Sequence, residues 1–162
     1  MTRVLDLRPA EPGDAGSLGP CHLACWQETY AGLLSPAFFA GRSPARFAAN
    51  WAQLLADPAT ATVTLAEVDS EVVGFAQVVP SRDTPPVREE EVASLYLRAA
   101  HHGSGLGQAL LDAVLADRPA SLWVAEENPR ARRFYERNGF TADGAREVVE
   151  SWEGLAQVRL VR

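Results

Sequence analysis

The sequence contains no lysine and no isoleucine, and all 15 of its basic residues are arginine. A Walker-type phosphate loop needs a lysine to reach the nucleotide phosphates, and Schiff-base or pyridoxal chemistry needs a lysine amine. Composition alone excludes both. Cysteine is scarce as well: Cys21 and Cys25 stand four apart in a helical stretch, with His22 between them. A structural zinc takes four ligands, usually from two Cys pairs, and no second pair exists, so no metal is expected. No run approaches the 18 or so apolar residues that a membrane-crossing helix requires. The opening Met1-Thr2-Arg3-Val4-Leu5-Asp6 interrupts its apolar residues with charge and lacks a signal-peptide core. A cytoplasmic protein without a membrane partner is the expectation.

What is present suits one domain spanning residues 1–162. Hydrophobic residues make up 47% and charged residues 22%, ordinary for a globular chain. The net charge of −6 argues against nucleic acid as a partner and is compatible with cationic substrates. Abundant Ala, Arg, Gly and Pro, with isoleucine missing, is the composition expected of a GC-rich bacterial genome.

No internal repeat or low-complexity tract occurs, and the Pro-rich stretch from Pro80 to Arg88 reads as a long loop within the domain. Val4 to Leu7 predicts a short strand ended by Pro9. Two or three helical segments follow between Asp14 and Asn50, broken near Pro36 and at Gly41 to Pro44. Thr62–Val68 and Val72–Val79 are β-rich runs joined by Asp69-Ser70-Glu71, hence a hairpin. Val92 to Leu97 is a further strand. Leu106, Ala109, Leu110, Ala113 and Val114 then keep helical spacing until Pro119. Ser121 to Ala125 is a strand, followed by a helix with Asn128 as N-cap, Pro129 at its first position and Gly139 just past its end. Phe140 to Thr141, Arg146 to Trp152 and Leu155 to Val161 read as closing strands. The β–α–β centre requires a parallel crossover and the hairpins give antiparallel pairs. The predicted fold is α/β (α+β): a mixed, mainly antiparallel central sheet with a β-α-β-α unit at its centre, flanked by helices.

His102-Gly103-Ser104-Gly105-Leu106-Gly107 lies between a strand and an amphipathic helix. Glycine lets the backbone approach a ligand closely, and amides at a helix start bind phosphate oxygens. A dinucleotide fingerprint would need glycine where Gln108 stands, and a nucleophile elbow would need a different spacing around Ser104. A phosphate cradle and a simple glycine-rich turn both remain open from this loop alone.

The loop does not stand alone. Together with Asn128-Pro129-Arg130-Ala131-Arg132-Arg133-Phe134-Tyr135 and the Gly139-Phe140 step, the sequence resembles the GNAT superfamily of N-acetyltransferases. The family's acyl-CoA loop, Gln/Arg-x-x-Gly-x-Gly/Ala, falls on His102, Gly105 and Gly107. Its second signature falls on Asn128, Ala131, Phe134, Tyr135, Gly139 and Phe140. Trp26 to Tyr30 with Gly32-Leu33-Leu34 is similar to the acceptor-side helices of bacterial members. The order of elements agrees along nearly the whole chain. His102 departs from the family pattern, in which Gln or Arg is usual.

The resemblance implies acetyl-CoA as co-substrate. Its contacts would be Leu95, Tyr96 and Leu97 on the strand, His102 to Gln108 in the loop (Gly103, Ser104, Gly105, Leu106 and Gly107 included), and Asn128, Ala131 and Tyr135. The implied activity is direct transfer to a primary amine of a small molecule or peptide. A non-catalytic acyl-CoA-binding module, another acyl donor and a hydroxyl acceptor are alternatives within the same fold, and homodimers are frequent in the family. An alkyl ammonium with a pKa of about 10 must lose a proton before it can attack, and the departing thiolate gains from a proton donor. Tyr135 is the candidate acid. Glu91, which strand alternation would place on one face with Ala93, Leu95 and Leu97, is a candidate base acting through water. Glu28 is the second candidate. Trp26 and Tyr30, four apart on one helix face, fit either an acceptor pocket or burial against the sheet.

Overall fold

The computed structural model describes residues 5–162. Its seven strands are β1 (Leu5–Pro9), β2 (Thr62–Val68), β3 (Glu71–Pro80), β4 (Glu90–Leu97), β5 (Ser121–Ala125), β6 (Thr141–Val149) and β7 (Leu155–Val161). They form one sheet in the order β1-β2-β3-β4-β5-β7-β6. Every neighbouring pair is antiparallel except β4 and β5. Helices α1 (Ala15–Tyr30), α2 (Pro36–Ala40) and α3 (Pro44–Leu55) precede the β2–β3 hairpin, while α4 (Leu106–Val114) and α5 (Pro129–Arg137) flank β5 in sequence. The mixed, mainly antiparallel sheet read from the sequence is the one observed.

Local chemistry explains most of the boundaries. The β2–β3 hairpin turns on Asp69 and Ser70, both at positive φ (52° and 69°), the backbone of the two-residue turn that matches strand twist. Ser35 and Ser43 cap α2 and α3 through their hydroxyls, each with proline in the next position. On α3, Phe47, Trp51 and Leu55 recur at four-residue spacing and are its buried residues. Asn128 caps α5 by accepting from the Ala131 N–H at 3.1 Å, and Gly139 takes the left-handed position beyond the helix at φ 83°.

Three expectations are corrected. The first strand begins, among the described residues, at Leu5 and includes Pro9; Val4 lies outside them. Phe140 is not in a strand; Thr141 and Arg146–Val149 belong to one strand, because the ladder to β7 absorbs the intervening segment in a bulge where Gly144 has φ 92°. Glu150–Trp152 is a 3₁₀ turn and not strand.

Two cores result, one on each face of the sheet. Leu106, Leu110, Leu111 and Val114 of α4 and Tyr135 of α5 pack on Val78, Val92 and Leu122. On the opposite face, Leu18, Cys21 and Cys25 of α1 and Trp51 and Leu55 of α3 cover Leu65 and Phe75. A third cluster joins Tyr30, Leu34 and Phe38 to Ala125 and Leu155, with Trp26 and Trp152 packed on it. Ser35 at the start of α2 is tied to the β6–β7 connection, its N–H and hydroxyl donating to the Glu153 carboxylate at 2.8 and 2.5 Å.

Helix α1 approaches α3 closely at Gly19, where an added Cβ would stand 2.5 Å from the Ala48 nitrogen. Alanine favours a helix over glycine by about 1 kcal/mol, but a backbone clash of this kind costs about 1–3 kcal/mol. Gly19→Ala should therefore destabilise the protein by up to about 2 kcal/mol net, read as a lower urea midpoint at an unchanged slope. An equal or higher midpoint would show that the helices separate without cost.

Candidate active site

The site begins with a defect in the sheet. Parallel strands β4 and β5 are bridged at a single residue pair, Glu91 and Ser121, and then part. Between them opens a groove of about 900 Å³, lined along one side by Val92 to Leu97 and on the other by Trp123, Val124 and Asn128. Backbone N–H and C=O groups that a continuous sheet would pair are left facing this gap. A bulge helps to set the strand's course: Val92 pairs with Val78 and Ser94 with Gln77, so Ala93 has no partner on β3. The bulge also changes the strand's phase. Val92, Leu95 and Leu97 pack toward α4, while Tyr96 faces the α1 side. Glu91 thus does not share a face with Leu95 and Leu97, which corrects the simple alternation.

At one end of the groove the chain turns through Gly103 and Gly105, at φ 75° and 88°, into α4. Nothing lies within 4 Å of where a Cβ would stand at either residue, so bare backbone borders open space. The first intrahelical bond of α4 runs from the Ala109 N–H to the Gly105 carbonyl. Amides before it lack intrahelical acceptors, which makes this end receptive to anions. Ser104 turns inward, donating from its hydroxyl to the His101 carbonyl at 2.6 Å. Helix α5 runs alongside. A Cβ on Gly107 would meet the Phe134 ring at 3.8 Å. The side-chain amides of Gln108 and Asn138 bond each other reciprocally at 2.7 and 3.0 Å.

Three tyrosines meet at the other end. The hydroxyls of Tyr30 and Tyr96 share a hydrogen bond of 2.8 Å. Tyr135 lines the groove from α5, and among the described residues its hydroxyl has no protein hydrogen-bond partner. Burial, with a smaller contribution from nearby Tyr30, pushes its pKa well above the ordinary phenol value. Tyr135 is therefore a protonated donor at neutral pH, with its O–H free for a ligand.

The carboxylates have other partners. Glu28 accepts from the Arg98 Nε at 2.9 Å and the Ala99 N–H at 2.8 Å, tying α1 to the chain just beyond β4. Burial would raise its pKa, but those two donors outweigh it and hold the carboxyl below its ordinary range. Glu91 is buried and bonded to Arg82 through the Arg82 backbone N–H at 3.0 Å and Nε at 3.3 Å.

Of the residues singled out in the sequence, Leu95, Tyr96, Leu97, His102, Gly103, Gly105, Gly107, Gln108, Asn128, Ala131, Tyr135, Glu28 and Tyr30 line one groove. Glu91, Ser104, Leu106 and Trp26 do not. Leu106, the first residue of α4, is buried in the core. Trp26 is half-buried, its ring packed against Trp152, Phe47 and Tyr30. Sequence reasoning missed Thr29, Trp123 and the arginines Arg130, Arg133 and Arg137, all of which line the groove. The arginine spacing of three and four, one face of α5, was the available signal.

A sheet parted beside a glycine turn, with a tyrosine donor in the gap, defines a site for an extended ligand carrying anionic groups. The chain belongs to the acetyltransferase (GNAT) family, whose model matches residues 26–140. It is 37% identical over 106 residues to an uncharacterized N-acetyltransferase of Mycobacterium bovis, a match covering 60% of this chain and 64% of that protein. The matched region thus spans less than two thirds of that relative's length. A probable N-acetyltransferase of Mycobacterium tuberculosis is 26% identical over 159 residues, 95% of this chain and 88% of that one. The paiA N-acetyltransferase of Thermoplasma acidophilum, solved in complex with coenzyme A, superposes with a TM-score of 0.73 at 18% identity, over 96% of this chain and 98% of its own. That likeness is one of fold.

The tie between Glu28, Arg98 and Ala99 has a pH signature. A carboxyl held below its ordinary value of 4.5 adds stability above that value and loses the contribution as pH falls through its lowered one. Glu28→Gln keeps an acceptor for the Ala99 N–H and removes the charge. Solvent screening keeps the difference small, about 0.5–1 kcal/mol at neutral pH. Urea unfolding of both proteins should show this gap at pH 7 and its disappearance in acid below the lowered value; a gap independent of pH would assign it to packing.

Proposed function

We propose that the protein is an N-acetyltransferase that moves the acetyl group of acetyl-CoA directly to a primary amine. The observation that carries this reading is the parting of β4 from β5 beyond Glu91 and Ser121, with the Tyr135 hydroxyl, which has no hydrogen-bond partner among the described residues, in the gap. The coenzyme A complex of the Thermoplasma protein supports it through a shared fold.

The residues present fit such a ligand. Gly103 and Gly105 leave backbone free of Cβ atoms beside a helix start, suited to a diphosphate. The unpaired edge of β4 would hold an extended, amide-bearing arm by strand-like hydrogen bonds. Acetyl-CoA supplies an activated acetyl thioester. Tyr135 then serves as the proton donor to the departing sulfur, the protonated state being secured by burial. Holding thioester and amine together in the groove provides the orientation effect.

The base is solvent. Both carboxylate candidates are engaged, Glu28 by Arg98 and Ala99 and Glu91 by Arg82, while the groove is open to water. An amine that loses its proton to water gives a rate that climbs with pH toward the amine's own pKa of about 10.

Tyr135→Phe keeps the ring and its contacts with Phe134 and Phe140 and removes only the hydroxyl. With an amine panel and acetyl-CoA, single-turnover acetylation should fall about 100- to 10,000-fold, while the acetyl-CoA Kd stays nearly constant. Equal single-turnover rates would make Tyr135 a packing residue. Coenzyme A binding without turnover on any amine would favour a non-catalytic binding module.

A further inference from the structure

We propose that Arg130, held in place by a neutral His102, is the cation that grips the diphosphate of coenzyme A; this rests on the acetyltransferase reading above. His102 immediately precedes the glycine turn, and its Nε2 lies 2.7 Å from the Leu97 carbonyl. A carbonyl only accepts, so Nε2 carries the hydrogen and Nδ1 presents a lone pair. The Arg130 guanidinium meets that nitrogen through Nη1. Because a guanidinium cannot give up its charge to become an acceptor, the arginine donates and the imidazole accepts.

The groups that face His102 agree with a neutral ring. Burial and the charges of Arg130 and His101 disfavour protonation, against the Leu97 carbonyl and the charge of Glu28, and the net direction is downward. A neutral partner has a particular consequence. It fixes the guanidinium without cancelling its charge, which a carboxylate would do.

Arg8, Arg82, Arg98, Arg118, Arg146 and Arg159 are each paired with carboxylates. Arg130, Arg133 and Arg137 line the groove and have no carboxylate partner among the described residues. Among the described arginines, Arg42, Arg46, Arg88, Arg132 and Arg162 also lack a carboxylate partner but do not line the groove, so it is the combination of the two features that marks the row on α5. Glu28, the acidic residue lining the same groove, is already neutralised by Arg98. In a protein of net charge −6, this stretch carries uncompensated positive charge. Beside it lies the exposed backbone of Gly103 and Gly105. A diphosphate matches both features, since its paired anionic oxygens accept the two parallel donors of a guanidinium and the adjacent amides. His102 is here a positioning residue, with Arg130 making the contact.

Calorimetry on the full chain tests this with coenzyme A, and with pantetheine, which lacks the diphosphate. Arg130→Ala should raise the coenzyme A Kd at least about tenfold. His102→Ala should do nearly the same, although it removes no cation. The double variant should bind no more weakly than Arg130→Ala alone, because the two residues act as one unit. His102→Gln, whose amide can donate to Leu97 and accept from Arg130, should return affinity to within about threefold of wild type. Pantetheine should bind all variants alike. If wild type binds no coenzyme A, the acetyltransferase reading falls and the clamp with it. If wild type binds but Arg130→Ala binds equally well, the clamp falls alone. Additive losses, no recovery with His102→Gln, or equal weakening toward pantetheine would also overturn it.

Discussion

Parallel strands joined at one residue pair cannot close a sheet, and everything at this site depends on that. If β4 and β5 stayed paired beyond Glu91 and Ser121, their backbones would satisfy each other and no groove would exist. The two halves of the sheet are kept together elsewhere. Arg82 reaches from the β3–β4 loop to Glu91 on β4 and to Glu147 on β6, and Arg159 on β7 bonds Asp83 of the same loop. The loop therefore spans the parting on the closed side, where Trp123 also donates from its indole N–H to Asp83 at 3.2 Å. Arg82 is half-exposed, so its ion pairs join the two halves of the sheet while adding little net stability.

Two helices convert the gap into a site with distinct ends. Helix α4 carries the glycine turn, and α5 carries Tyr135 on its buried face and the arginine row along the groove. The reciprocal Gln108–Asn138 amide pair and the Gly107–Phe134 contact set their separation. On the opposite side of the sheet, Glu28 fastens α1 to the end of β4, so that Thr29 and Tyr30 border the groove. The chemistry is thus distributed over elements far apart in sequence and brought together by a few polar ties.

Much of this was legible because the relevant signals are local. The Asn128 cap, Pro129 and Gly139 mark α5 within ten or so residues, and Tyr135 was singled out through the family resemblance of that segment. The β-rich runs and the short connection at Asp69 and Ser70 mark the hairpin. What escaped was non-local or compositionally silent. The bulge at Ala93 uses no glycine, so nothing announced the phase change that separates Glu91 from Leu95. Glu28 looked available because Arg98 and Ala99, its partners, lie 70 and 71 residues away. The packing of Trp26 on Trp152, 4.7 Å away between ring centroids, joins residues far apart in the chain, which helix spacing alone does not show. Phe140 to Thr141 and Arg146 to Trp152 read as separate strands, whereas Thr141–Val149 is one strand whose ladder to β7 carries a bulge.

Every ion pair described here is made by a guanidinium. Lysine would serve at several of these exposed positions almost as well electrostatically, yet the chain has none. A guanidinium stays protonated and offers no free amine to an acyl thioester at neutral pH, whereas a lysine amine loses its proton often enough to react. The side chains that hold this fold together are for that reason inert toward self-acetylation. On the acetyltransferase reading proposed above, the groove meets no side-chain amine of the chain's own as a competing acceptor.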